Sequence, residues 1–278
     1  MNDEAIRTGR WSGRFLSANG WLVYLFLYIP IFVLIVFSFN DNQRVAVWTE
    51  FSFRWYGEIL QNDAVLRALR NTLIVAGVAT VASTILGTAA ALSMERYRFR
   101  GQRAADGLLY LPIIIPDVTM AVMMLLFFAQ AFNLASHVVR LSFGLGTISL
   151  AHIAFNIAFV AVVVRARLAQ MEPQLEEAAS DLYATRWQAF RHVTLPLIMP
   201  GVAGGALLAL TLSLDDVVVT QFVSGPGSTT LPVYVFGLVR RGVTPLINAV
   251  SVVMLVASIV LVGVSLGLQR RSGRSSPL

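Results

Sequence analysis

Residues 21–39 read WLVYLFLYIPIFVLIVFSF, an unbroken run without a single charge. A helix that crosses a hydrocarbon core of roughly 30 Å needs about 20 apolar residues, so this run predicts a membrane span. Five further stretches meet the same test, at about 70–93, 107–131, 147–165, 198–222 and 246–268. Pro30, Pro112, Pro116, Gly77 and Gly87 fall inside them. Membrane helices tolerate such residues because neighbouring helices and local backbone adjustment satisfy the freed groups. The bulk composition agrees. The chain of 278 residues is 56% hydrophobic, with 13% charged residues and a mean hydropathy of +0.71. Soluble domains carry about 25% charged residues. The predicted fold class is all-α and integral to the membrane, with six transmembrane helices.

The ends and loops set the expected topology. Residues 1–20 hold Asp3, Glu4, Arg7, Arg10 and Arg14, and the apolar run after them is longer than a signal-peptide core. We read 1–20 as a cytoplasmic segment before an uncleaved first helix, 21–268 as one transmembrane domain, and 269–278 as a cytoplasmic tail. All 21 basic residues are arginine. With the N-terminus inside, fourteen lie on the inner side: Arg7, Arg10, Arg14, Arg96, Arg98, Arg100, Arg103, Arg165, Arg167, Arg186, Arg191, Arg270, Arg271 and Arg274. Seven lie outside: Arg44, Arg54, Arg67, Arg70, Arg140, Arg240 and Arg241. The excess of inner arginine favours both termini in the cytoplasm. The net charge of +6 is spread in short clusters between apolar runs and forms no single basic stripe, so nucleic acid is not an expected partner. The lipid bilayer is. In the outer loop at about 40–66, Trp48, Trp55 and Tyr56 are candidates for the headgroup level.

The inner loop at about 166–197 is long enough to have a task of its own. Its centre, residues 172–201, reads EPQLEEAASDLYATRWQAFRHVTLPLIMPG. Pro173 suits a helix start, and Glu176 and Glu177 suit its first turns. Ala178, Ala179, Leu182 and Tyr183 recur at helical spacing. A second short helix is expected from about Trp187 to Val193, ended by Pro196. Two short amphipathic helices on the inner face can lie on the membrane or dock into a groove of a partner.

Glu177-Ala178-Ala179, followed at the matching distance by Val193-Thr194-Leu195-Pro196, resembles the EAA loop of ABC importer permeases. Further segments resemble the spermidine/putrescine branch of that family, its PotC/PotI-like membrane subunit. They are Asn71-Thr72-Leu73-Ile74-Val75-Ala76, Pro116-Asp117-Val118, Ser213-Leu214-Asp215-Asp216, and Gly242-Val243-Thr244-Pro245 with Ile247-Asn248-Ala249. Branches for ferric iron, thiamine, opines and phosphonates share much of the pattern. The resemblance implies the type I importer permease fold in the bacterial inner membrane. It implies a second, homologous permease subunit beside this one, making a heterodimer. It also implies two ATPase subunits and a periplasmic or lipoprotein solute-binding protein. ATP and Mg would belong to the ATPase; this chain would carry no cofactor and would not be an enzyme. The ATPase-coupling residues would be Glu177, Ala178, Ala179, Asp181, Tyr183, Leu195 and Pro196. The sequence departs from the family at two places. The family usually has Gly where Tyr183 stands, so a reshaped turn is expected. It often has an acidic residue where Leu246 stands.

Carboxylates inside a membrane usually face a cavity or a pathway. Asp215 and Asp216 fall within the fifth stretch, and Asp117 about a third of the way along the third. Adjacent carboxylates repel, and a polyamine with two or more ammonium groups would neutralise them. Adjacent helix positions point about 100° apart, so one of the pair is expected to face the path. Two roles remain open for these residues: lining a cationic path, or capping a broken helix or pairing with an arginine of the partner subunit. Asp117 follows Pro116 and suits a cap at a break. Asn156 suits an interhelical hydrogen bond, and Tyr110, Met120, Met123 and Met124 suit packing. Ser224-Gly225-Pro226-Gly227-Ser228 reads as a turn, and 231–241 as a short helix at the outer surface. Arg240 and Arg241 there suit docking of a binding protein or anchoring to headgroups.

Several chemistries are absent. There is no cysteine, so disulfides and thiolate chemistry are excluded. Without lysine there is no GxxxxGK[ST] phosphate loop. His137, His152 and His192 have no metal-ligand spacing. A stand-alone secondary transporter would be expected to show inverted repeats, and no convincing repeat is visible.

Overall fold

The computed structural model describes residues 3–44, 47–136, 141–172, 174–242 and 244–274. Pro173 and His137 therefore lie outside the described residues. The helices are α1 (Asp3–Phe37), α2 (Arg54–Gln61), α3 (Asp63–Arg96), α4 (Gln102–Ile114), α5 (Asp117–Ala135), α6 (Leu145–Leu168), α7 (Gln174–Asp181), α8 (Arg186–Ala189), α9 (Leu195–Asp215), α10 (Val218–Val223), α11 (Leu231–Arg241) and α12 (Pro245–Arg274). Among the described residues the extended pairing is a single bridge, between Asn40 and Phe51. Among the described residues, six stretches are long and apolar enough to span a membrane: Phe15–Phe37, Asp63–Arg96, Asp117–Ala135, Leu145–Leu168, Arg186–Asp215 and Pro245–Gly263.

The chain divides into two units. The larger holds 63–237 and 257–278. Its core is the mutual packing of α3, α6 and α9. Small residues let these helices approach closely, since lipid supplies no hydrophobic drive for association. A Cβ at Gly87 would lie 2.7 Å from Val160 Cβ, and one at Gly205 would lie 3.3 Å from Val160 Cα. Val160 is fully buried between these contacts, with Ala91, Ala161, Val164, Ile198 and Ala209 around it. As expected for Asn156, its side chain donates to Ser213 Oγ at 2.8 Å and joins α6 to α9.

Two spans are broken, the two in which the sequence left a capping role at a break open for the aspartates. The third divides at Ile115 and Pro116, both extended. Proline disfavours the helical conformation in the residue before it, so α4 stops and α5 starts at Asp117. The fifth stops at Asp215; Asp216 is extended, and the chain resumes as α10. The second halves meet, because α10 packs on α5. Pro196 also departs from expectation. It does not end a short helix: α8 runs through a π-helical turn, Phe190–Thr194, directly into α9. In an α-helix the Pro196 ring would clash with the carbonyl four residues earlier; the wider turn makes room for it.

Residues 224–230 of this unit are stitched to the helices. Ser228 N donates to Gly225 O at 3.2 Å, which closes the expected turn. Asn71 Nδ2 donates to the carbonyls of Gly227 and Thr229, both at 3.0 Å, and Leu231 N donates to Thr72 Oγ1 at 2.8 Å. Asn71-Thr72 thus serves as a tether for this loop.

The smaller unit holds 1–62 and 238–256. Residues 15–33 of α1 are almost wholly exposed. The loop after α1 is organised by Asn40, which is buried and whose side chain bonds Val47 O, Asn42 N and Thr49 N. Trp55 is buried at 5% exposure and donates to Asn40 O at 2.6 Å, so it is a core residue of the loop and not a headgroup anchor. Tyr56 shares a 2.8 Å hydrogen bond with Ser38, while Trp48 remains exposed. Leu246, at the position where the family often has an acid, is buried.

Candidate functional site

The two breaks bring together the three carboxylates singled out from sequence. Asp117 opens α5, Asp215 closes α9 and Asp216 occupies the extended link; all three line one cavity of about 340 Å³. Met120, Phe155, Phe159 and Leu212 complete much of its wall. Asp117 and Asp215 are exposed to it, whereas the Asp216 side chain retains only 13% of its accessible surface.

The carboxylates differ in what they bind. Asp216 accepts from Thr220 N and Thr220 Oγ1, each at 2.7 Å, and from Val219 N at 3.3 Å. It therefore caps α10, satisfying amides that a helix start leaves without partners. His152, fully buried on α6, places Nε2 2.9 Å from Thr220 Oγ1 and 3.3 Å from Asp216 Oδ2. The single hydroxyl proton of Thr220 points to Asp216, so His152 Nε2 must donate to Thr220. His152 Nδ1 is buried without a hydrogen-bond partner among the described residues. Of the two roles foreseen for the pair, the structure shows the helix cap, made by Asp216; Asp215 is exposed at the cavity. Sequence reasoning missed His152 and Thr220. The i, i+4 step from Asp216 to Thr220 carried a signal, but a lone histidine in another span did not.

Met120 belongs to the buried core with Val75, Ala121, Phe128, Ile148 and Phe155, while Met123 is exposed. The Tyr110 ring lies under the Arg165 guanidinium, 5.8 Å from centroid to Cζ. Arg165 also pairs with Glu95 at 2.7 Å and with Asp106, binding α3, α4 and α6 together.

The loop at 166–197 forms the second candidate surface. Glu177, Ala178 and Asp181 are exposed on α7, and Ala179 is half-buried. The helix ends in a Schellman motif: Ala184 N donates to Ala179 O and Tyr183 N to Ser180 O, each at 3.0 Å. Tyr183 sits at the left-handed position, with φ 61°. The turn is therefore not reshaped by the departure from glycine. Tyr183 takes the strained conformation and is 95% exposed. Leu182 and Trp187 beside it are also exposed, giving an apolar patch on a polar face. Leu195 is half-buried and Pro196 exposed at the start of α9. Glu176, absent from the coupling residues that the resemblance implied, turns toward the helix bundle. It binds Arg96 on α3 and accepts from Thr194 Oγ1 at 2.5 Å.

Arg240 is exposed on α11, the short helix expected over 231–241. The side chain of Arg241 lies outside the described residues. No group of three or more His, Cys, Asp or Glu that could hold a metal occurs among the described residues.

Residues 83–275 match the family described as "Binding-protein-dependent transport system inner membrane component". The chain is 46% identical over 236 residues to the putrescine transport system permease protein PotI of Escherichia coli (strain K12), across 84% of this chain and 83% of that one. It is 39% identical over 261 residues to the spermidine/putrescine transport system permease protein PotC of Haemophilus influenzae, across 93% and 98%. Its fold is similar to that of a bacterial ABC transporter involved in the import of the acidic polysaccharide alginate, with a TM-score of 0.77 at 22% identity, covering 96% of this chain and 99% of that one. The chain belongs to the binding-protein-dependent transport system inner membrane components: it is a multi-pass inner-membrane permease subunit of a transport system, and not an enzyme.

Proposed function

We propose that this permease imports polyamines, with the cavity between the broken spans as part of the path. The observation that carries this reading is the convergence of Asp117, Asp215 and Asp216 on one cavity. Asp216 is committed to its cap, which leaves Asp117 and Asp215 as the carboxylates available to ammonium groups. Phe155 and Phe159 add aromatic faces that attract a cation. Methylene spacers between ammonium groups suit Met120 and Leu212 on the same wall. The relatives named for putrescine and spermidine transport support the same substrate class.

In this reading both termini are cytoplasmic, as the arginine distribution favours. A second, homologous permease faces this chain across the path. Two ATPase subunits receive the inner loops, and they hold the ATP and Mg. Glu177, Ala178 and Asp181, with the exposed Leu182, Tyr183 and Trp187, form the docking surface on this chain. Leu195 and Pro196 lead from it into α9. A solute-binding protein docks outside, where Arg240 and Arg241 meet its acidic residues. Closure of the ATPase dimer on ATP draws the α7 helices together and opens the path outward; hydrolysis resets it. Such a switch requires the ATP-bound state to favour one orientation by several kcal/mol.

The test is reconstitution of the full transporter in proteoliposomes. Polyamine-loaded binding protein should stimulate ATP hydrolysis and drive uptake of the polyamine. Hydrolysis indifferent to the loaded binding protein would contradict the reading.

A further inference from the structure

The inner end of α3 is a junction with two outlets. Glu95 turns to Arg165 on α6, and Arg96, the next residue, turns to Glu176 on α7. Arg96 also donates to Thr194 Oγ1 at 2.9 Å, and Thr194 donates to the same Glu176 oxygen at 2.5 Å. Thr194 is fully buried. It closes the π-helical turn that passes into α9, the helix that ends at Asp215 beside the cavity. Three residues from three elements therefore share one closed set of hydrogen bonds, each touching the other two.

We infer that Arg96, Glu176 and Thr194 form the joint through which movement of the inner loop reaches the cavity, with Glu176 as a positioning residue for coupling. This rests on the importer reading above. Glu177 and its exposed neighbours give α7 a face for the partner, whereas Glu176 is the side chain of α7 that grips the membrane domain. Charge-assisted bonds are short and directional, and the site is only partly open to water: both charged side chains retain 29% of their accessible surface. A pull on α7 therefore moves the end of α3 and the start of α9 together. The π-turn at Thr194 is the point of α9 that gives most easily, since its hydrogen-bond ladder is already widened there. Displacement of Thr194 changes the angle at which α9 enters the membrane, and with it the position of Asp215 at the far end. Arg165, by contrast, binds only bundle helices and braces them.

Two readouts on the assembled transporter test this. The chain has no cysteine, so with partner chains stripped of theirs, spin labels placed at Gln174 on α7 and Met199 on α9 report without background. The joint predicts one narrow distance distribution that shifts as a unit when a non-hydrolysable ATP analogue is added. Glu176→Gln or Thr194→Val should broaden it, and Thr194→Ser, which keeps the hydroxyl, should restore it. The second readout is substrate moved per ATP hydrolysed. It should fall at least about fivefold in Glu176→Gln, the low end of coupling between linked sites, while hydrolysis itself continues. The double exchange Arg96→Glu with Glu176→Arg should recover part of the loss and guards against a single variant that fails to fold. An unchanged narrow distribution in Glu176→Gln would overturn the joint. Wild type that moves no polyamine would instead refute the substrate reading, with the distance measurement still decisive for the joint.

Discussion

His152 and Asp216 meet across two spans, with Nε2 and Oδ2 3.3 Å apart and Thr220 Oγ1 bonded to both. The contact pins α6 to the broken end of span five. It also explains why two adjacent aspartates do different work: one side chain is consumed by the backbone it caps, and the other is left to the cavity.

The cap predicts a split between substitutions. Asp216→Ala removes the acceptor for two amides and a hydroxyl, and should cost about 0.5–2 kcal/mol, the usual range for a lost helix cap. Asp216→Asn keeps an acceptor oxygen and should lose less. Asp215→Asn should not lower stability. Thermal unfolding of the purified permease in one detergent checks all three.

Tyr183 holds a left-handed conformation that costs a residue with a Cβ about 1–2 kcal/mol. Glycine adopts it freely but loses more chain entropy on folding. Tyr183→Gly should therefore stabilise the α7 turn by about 0.5–1 kcal/mol, seen as slower limited proteolysis of the inner loop. If the ring serves docking, the same variant should bind the ATPase more weakly. Stability and association then move in opposite directions.

Glycine substitutions should divide by what their Cβ would meet. At Gly225 a Cβ would stand 2.0 Å from Phe143 O, a backbone atom that cannot step aside cheaply. Gly225→Ala should lose roughly 1–3 kcal/mol, as overpacked sites do. Gly87→Ala should also destabilise, by forcing α3 off α6 at Val160. At Gly77 nothing lies within 4 Å, and Gly77→Ala should be neutral or mildly stabilising. Folded yield and melting temperature after detergent extraction check the order.

The Asn156–Ser213 bond should give a modest coupling energy. Buried interhelical hydrogen bonds in membranes average about 0.6 kcal/mol in double-mutant cycles. Asn156→Ala, Ser213→Ala and the pair, compared in unfolding titrations, should return a value of that order. A coupling near zero would mean that the two side chains find other partners when separated.

The six spans were legible because length and apolarity suffice to mark them. Their interruptions were not. Pro116 announced one break, since proline acts on the residue before it, but the break at Asp216 carries no proline or glycine. The signal there was the aspartate pair itself, and its division of labour depends on His152, which lies in a different span. The inner loop was legible as a motif, yet its grip on the membrane domain was not. Glu176 and Glu177 look alike in sequence; only the helix phase of α7 and the position of Arg96 turn one inward and leave the other exposed. Pro196 misled for a local reason: the π-turn that accommodates it has no distinctive composition.

The most direct test of the central claim is uptake of labelled putrescine and spermidine by cells lacking this permease alone, complemented with wild type, Asp117→Asn or Asp215→Asn. The carboxylate path predicts that wild type restores uptake and that both variants, present in the membrane at wild-type level, lose most of it at limiting substrate. Full uptake in both variants would contradict the path through this cavity, and no polyamine uptake with wild type would contradict the substrate.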